Sequence, residues 1–235
     1  MRLAIMQPYF FPYLGYLALI KHTDHFVVFD TPQFIRHGWI ERNRILKHQE
    51  GWQYIKVPLE KHKRETAIKD VRIKNTADWK RKIIAQLNHY KKKANYYREV
   101  MDLLEEVFNF ETDSIVKLDV FALEKVLEYL RIDFKYSIFS EMNLKVKKPQ
   151  SPDEWALNIT KAMEADEYIN LPGGKDFFDK NKYEKEGIAL KFLNINLPEY
   201  DQKRKLFEPG LSIIDVMMFN SPQNINNMLD NYELT

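Results

Sequence analysis

Short apolar runs and helix-period stripes alternate along the chain. Leu3–Met6 is a continuous apolar run and reads as a first strand; a short helix follows over about Leu14–Lys21, and His25–Asp30 reads as a second strand. Trp52–Pro58 and Ile68–Ile73 alternate or run apolar and read as further strands. Asn75-Thr76-Ala77-Asp78 has helix-start chemistry, with Asn75 or Thr76 as N-cap. Three stripes follow: Ile83, Ile84, Leu87 and Tyr90; Val100, Leu103, Leu104 and Val107; and Val116, Val120, Leu123, Leu127 and Leu130. Spacings of three and four mark helix faces turned to a core, so residues 75–131 read as a helical insertion.

Strand and helix signals then resume. Phe134–Phe139 reads as a strand, and Ser151-Pro152-Asp153-Glu154 as a capping box opening a helix that runs to about Ala165. Glu167–Leu171 and Ile188–Leu193 read as strands, and Leu211–Phe219 and Gln223–Asn231 as closing helices. The alternation predicts an α/β fold: a Rossmann-like, mostly parallel sheet flanked by helices, with the helical insertion, in one domain of residues 1–235. In such sheets ligands sit at the carboxyl ends of the strands.

Composition narrows the function classes. The absence of cysteine excludes disulfides, thiolate metal sites and a cysteine nucleophile. Leu3–Met6 is too short for a signal peptide and no run approaches a bilayer span, so a cytoplasmic protein without a membrane span is expected. A formal net charge of +2 gives no ground for general polyanion binding. The basic clusters Lys61–Arg64, Lys80–Lys82 and Lys91–Lys93 read as solvated faces, and nucleic acid is not an expected partner. The six histidines show no metal-ligand spacing, so no metal is assigned. No Gly-x-Ser-x-Gly elbow occurs.

Candidate chemistry concentrates near the amino terminus. The loop after the first strand, Gln7-Pro8-Tyr9-Phe10-Phe11-Pro12-Tyr13-Leu14-Gly15-Tyr16, puts an amide and three phenol hydroxyls at a strand's carboxyl end, more polarity than an aromatic minicore needs. Gln7, Tyr9, Tyr13 and Tyr16 are its candidate ligand contacts, and Gly15 would allow close approach. Asp30 ends the second strand and either orients a ligand or starts the Thr31-Pro32 turn; Gln33 follows it. Trp39-Ile40-Glu41-Arg42-Asn43 offers a stacking ring, a guanidinium fork and an amide, and His37 beside it is the best candidate base. Gly173, Gly174 and Lys175, after a strand, read either as a phosphate-binding turn or as a plain glycine turn.

Two resemblances bear on this region. Tyr13-Leu14-Gly15-Tyr16 and Asp30-Thr31-Pro32-Gln33-Phe34 stand where the HxGH adenylyl-transferring superfamily, in particular pantothenate-synthetase-like ligases, carries its signature and a later Gln-Phe element. Both signature histidines are tyrosine here, which removes the positive charge that such enzymes direct at phosphates. A second resemblance covers nearly the whole chain. Met6–Tyr16, Asp24…Asp30…Gln33-Phe34, Trp39-x-x-Arg42-Asn43, Trp52…Val57-Pro58, Tyr168–Lys175 and Phe207–Asp215 resemble the landmarks of the WbqC-like family. That resemblance implies bacterial cell-surface polysaccharide biosynthesis, with acyl or aminoacyl transfer to the amine of a nucleotide-linked amino sugar. His37 or Asp30 would be the base, and Gln7, Tyr9 and Tyr13 the donors to the carbonyl oxygen. The alternatives are an ATP-dependent adenylyl-forming ligase, which would bring in ATP or another nucleotide as cofactor, and a non-catalytic nucleotide-sugar-binding protein.

Overall fold

The computed structural model describes residues 1–235. Its order is β1 (Arg2–Met6), α1 (Leu14–Lys21), β2 (His25–Val28), β3 (Arg42–Leu46), β4 (Trp52–Lys56), α2 (Trp79–Leu87), α3 (Tyr97–Asn109) and α4 (Ile115–Leu130). Then come β5 (Tyr136–Ile138), α5 (Glu154–Ala162), β6 (Glu167–Asn170), α6 (Lys180–Lys185), β7 (Ala189–Ile195), α7 (Ile213–Phe219), α8 (Pro222–Leu229) and β8 (Tyr232–Leu234). Six strands form one sheet in the order β5-β2-β1-β6-β7-β8, parallel except for β8 against β7. This is the Rossmann-like α/β architecture expected, with α2, α3 and α4 inserted between β4 and β5.

The sheet is apolar on both faces because helices cover both. Leu3, Ile5, Val27, Tyr168, Leu190 and Phe192 point to the face packed by α5 and α6; Ala4, Phe26, Val28, Ile169 and Leu193 point to the face packed by α1, α4, α7 and α8. The period-2 alternation of strand side chains makes this division. From β1 the chain builds outward through β2 and β5 on one side, and returns to add β6 and β7 on the other. The strand order therefore reverses between β1 and β6, which is where doubly wound sheets open a crevice for ligands.

Several elements differ from the sequence reading. Arg42 and Asn43, which end the Trp39–Asn43 motif, begin β3, which pairs antiparallel with β4 in a separate two-stranded sheet. Ile68–Ile73, read as a strand, is a 3-10 turn at Ile68–Asp70 flanked by single bridges. The helix expected from Asn75 or Thr76 starts at Trp79, because the Asn75 amide donates to the Thr112 carbonyl (2.9 Å) instead of capping. β8, which lay within no expected element, completes the sheet edge by pairing with Leu193–Ile195.

A set of hydrogen bonds fixes the loop after β1 over the sheet edge. Phe11 has φ 44°, a left-handed conformation that a bulky residue rarely adopts. The Asn43 amide holds it there, donating to the carbonyls of Phe10 (3.0 Å) and Phe11 (2.9 Å) while its oxygen accepts from Arg44 N–H (2.8 Å). Ser212 caps α7 by accepting from Ile214 N–H, and its hydroxyl also donates to the Phe11 carbonyl (2.8 Å). Behind this, fully buried Asp215 accepts from the hydroxyls of Tyr90 (2.5 Å) and Tyr200 (2.6 Å), and Leu46 N–H donates to the Tyr90 oxygen (2.9 Å). The Phe207–Asp215 segment is thus a brace between β3, the aromatic loop and the helical layer.

Replacing Asn43 with alanine leaves two buried carbonyls without a donor. The expected loss is about 1–3 kcal/mol in urea denaturation, the usual cost of orphaned buried polar groups; an unchanged midpoint would dissociate Asn43 from loop stability. Burial raises the Asp215 pKa to about 6, against the lowering effect of the two tyrosine hydroxyls. The folded state therefore binds more protons than the unfolded one between the ordinary carboxylate range and pH ~6, and stability falls as pH rises through that window. Asp215→Asn should flatten the dependence of the denaturation midpoint over pH 4–6. A slope identical to that of the unaltered chain would count against this.

Candidate functional site

The reversal point between β1 and β6 opens into a cavity of about 1210 Å³. Its floor is the carboxyl edge of the sheet: Met6 at the end of β1 and Gln7 after it, Phe29 after β2, and Asn170 at the end of β6 with Leu171 after it. The aromatic loop contributes Tyr9 and Tyr13, the segment after β2 contributes Pro32, Gln33, Ile35 and Trp39, and β3 contributes Asn43 and Arg44. Pro152, Trp155 and Ala156 at the start of α5 and Gly173, Gly174, Phe177 and Phe178 after β6 form the far wall. At about 1210 Å³ the space exceeds the ~300–1,000 Å³ usual for one drug-sized ligand.

Of the residues singled out from the sequence, Gln7, Tyr9, Tyr13, Gln33, Trp39, Asn43, Gly173 and Gly174 line this cavity together. They come from four separate segments, and the fold brings them to one place. Burial raises the pKa of Tyr9 and Tyr13, so both hydroxyls stay neutral donors around pH 7. The Asn43 amide is committed to the loop carbonyls, and the N–H groups of Gly174 and Lys175 close their own turn onto Leu171 and Pro172.

The structure places the other candidates outside the lining. Tyr16 is fully buried beneath the loop; its hydroxyl donates to the Gln7 carbonyl (2.8 Å) and its ring stacks on Tyr9 at 5.2 Å. Burial pushes its pKa well above the tyrosine range. A Cβ on Gly15 would come within 2.5 Å of the Tyr13 ring, so this glycine makes room for that ring rather than for a ligand. Asp30 is buried and accepts from the backbone N–H (3.0 Å) and hydroxyl (2.5 Å) of Ser140, tying the end of β2 to the end of β5. His37 is exposed at φ 66°, and its carbonyl accepts from Arg42. The Arg42 guanidinium lies 4.1 Å over the Tyr54 ring and also donates to Gly38, so it folds the 37–42 turn. Lys175 is exposed outside the lining.

The charged group in the cavity wall is Arg44, which the sequence reading passed over. Its guanidinium sits between the rings of Trp39 (5.5 Å) and Trp52 (5.2 Å) and donates to the Gly210 carbonyl (2.9 Å). Its Nε is buried and has no acceptor in the protein. Gly210 adopts φ 63°, and a Cβ there would press within 3.2 Å of the Arg44 Nη2. The sequence signal existed: reading Arg42–Leu46 with period 2 puts Arg42 and Arg44 on one strand face. Trp155 and Phe178 carried no such signal, because only the packing of α5 and the 171–179 turn against the sheet brings them to the cavity.

The cavity wall therefore holds one cation, three phenols, side-chain amides and indoles. No carboxylate, imidazole, lysine, serine or threonine lines it. A second, open hollow of about 990 Å³ lies between residues 75–80 and 110–117 and is lined by none of the candidate ligand-binding or catalytic residues.

Comparison with known proteins covers most of the chain. The chain is 27% identical over 222 residues to the uncharacterized protein Rv1507c of Mycobacterium tuberculosis, covering 93% of each chain. No solved structure matches the chain. No helix is long and apolar enough to cross a membrane. The profile of the WbqC-like protein family matches residues 7–227, from just after β1 into α8, and the chain belongs to that family.

Proposed function

We propose that this chain acts in bacterial cell-surface polysaccharide biosynthesis, holding a nucleotide-linked amino sugar in the cavity at the β1–β6 reversal, where an acyl group is transferred to the sugar amine. The observation that carries the reading is the buried, acceptorless Nε of Arg44 among aromatic rings at a nucleotide-type crevice. A guanidinium so placed suits a phosphate or diphosphate. Trp39, Tyr9 and Tyr13 offer ring faces and hydrogen-bond donors for a base or sugar. The family's association with glycan biosynthesis points the same way.

The chemistry would run as follows. The neutral amine nitrogen attacks the carbonyl carbon of an activated acyl donor, and a C–N bond forms. The resulting oxyanion accepts hydrogen bonds from Tyr9, Tyr13 or Gln7. Collapse expels the donor's leaving group with the bonding electron pair, and the proton on nitrogen passes to that leaving group or to water. Since His37 and Asp30 lie outside the lining, the protein's contribution is alignment and donor placement rather than a resident base. A cavity wall without carboxylate or imidazole also favours a second reading, a protein that binds and presents the nucleotide sugar without converting it. ATP or another nucleotide is a candidate ligand of the same cavity.

The test is calorimetry and thermal shift with nucleoside diphosphates and nucleotide-linked amino sugars. A ligand that binds only the folded state raises the melting temperature. Arg44→Met should weaken anionic ligands by about 1.5–3 kcal/mol, the range for hydrogen bonds to charged groups, whereas Arg42→Met should change affinity much less. Equal losses in both variants, or none in either, would remove Arg44 from the site. Release of the leaving group on adding an acyl donor and an amino-sugar nucleotide separates transfer from binding alone.

Adenylyl transfer gives a further check. Tyr16 spends its hydroxyl on the Gln7 carbonyl and Tyr13 carries no charge. Each lost transition-state donor typically costs ~10²–10³ in rate. Negligible ATP–pyrophosphate exchange is expected with simple acids and amino acids; robust isotope incorporation into ATP would replace the transfer reading with the ligase one.

A further inference from the structure

The cavity straddles the sheet edge and has two chemically different sides. Tyr9 and Tyr13 pack against the core on the α1 face, close to Arg44 and Trp39 in the cavity wall. Ile5, Phe29, Trp155, Ala156, Tyr168 and Phe178 belong to the core on the α5 face. On that side Phe29 and Trp155 rings lie 5.7 Å apart, and Tyr168 and Phe178 rings 5.5 Å apart, giving an aromatic well. At the mouth, Ile35, Phe177 and Leu197 are 63%, 53% and 42% exposed. They account for three of the chain's five exposed large hydrophobic residues and come from three distant segments. Apolar surface gathered at one opening marks a place where apolar ligand surface is received.

We infer that the α5-face compartment binds the transferred group, and that this group is an uncharged hydrocarbon acyl chain rather than an aminoacyl group. An aminoacyl donor brings an α-ammonium charge. Taking that charge from water is costly without a carboxylate to neutralise it, and the lining offers none; its one charged group, Arg44, would repel it. A hydrocarbon chain needs no partner. It would cover the well and the exposed rim, while the anionic acceptor keeps to the Arg44 side. This rests on the transfer reading above and names its donor class.

The alcohols butan-1-ol, octan-1-ol and 8-aminooctan-1-ol test it without engaging Arg44, since none carries an anionic head. Calorimetry on the full chain should give one saturable site for octan-1-ol, with affinity rising about fourfold per methylene buried over butan-1-ol. 8-Aminooctan-1-ol, of the same length but with a terminal ammonium, should not saturate. The double variant Ile35→Ser, Phe177→Ser changes only exposed rim positions, so it should keep its melting temperature and lose part of the chain-length gain. Equal affinity for the two unsubstituted alcohols, or for octan-1-ol and its amino analogue, would overturn the inference. If octan-1-ol binds as expected but no nucleotide-type ligand stabilises the chain, the nucleotide-sugar reading falls and the apolar compartment stands. If nucleotide sugars bind and the alcohol series is flat, only the hydrocarbon donor is lost.

Discussion

The Asn43 amide is the contact on which the site's geometry depends. It bonds two successive carbonyls of the aromatic loop, holds Phe11 in a left-handed conformation, and sits on a strand whose next residue is Arg44. One side chain therefore sets both the path of the loop carrying Tyr9 and Tyr13 and the place of the cavity's cation. Ser212 adds a second bond to the same Phe11 carbonyl, and the Ser212 N–H donates to the Arg44 carbonyl (2.9 Å). The distant Phe207–Asp215 segment and the amino-terminal loop are thereby parts of one construction. Buried polar groups left without such partners are costly, which makes the arrangement close to all-or-none.

The electrostatic character of the cavity follows from what it lacks as much as from what it has. Its wall is largely aromatic and aliphatic, and its tyrosines are held neutral by burial. In such surroundings a single guanidinium acts over a longer range and more strongly than on an open surface. Arg44 is aimed by stacking between two indoles and by the Gly210 carbonyl, leaving one buried N–H unspent. Arg42, two residues earlier, has the same charge but stacks on Tyr54 outside the cavity. Their different roles come from loop contacts made after the strand is laid down, not from residue type.

By itself the sequence determined the architecture. Continuous apolar runs at residues 3–6 and 26–29 are suited to burial on both faces, and helix-period stripes between 83 and 130 require a helical layer, so an α/β sheet with an insertion follows from periodicity alone. The same local reasoning placed the aromatic loop at a cavity wall, because amides and phenols gathered at a strand's carboxyl end are too polar for a core. It overreached where a local signal had a distant partner: Asn75 bonds Thr112 rather than capping a helix, Tyr16 bonds the Gln7 carbonyl, and Asp30 bonds Ser140.

Only the tertiary structure decided which of the polar residues meet. Arg44 and Arg42 are equal in sequence, and the brace through Gly210 and the indoles separates them. Trp155 and Phe178 look like ordinary core aromatics until α5 and the 171–179 turn dock on the sheet and leave them lining a well. The absence of any carboxylate or imidazole from the cavity was likewise invisible, since both types are common along the chain. Periodicity reports how each segment buries its own surface; the composition of a cavity depends on which segments converge, and that is set by strand order and long-range hydrogen bonds.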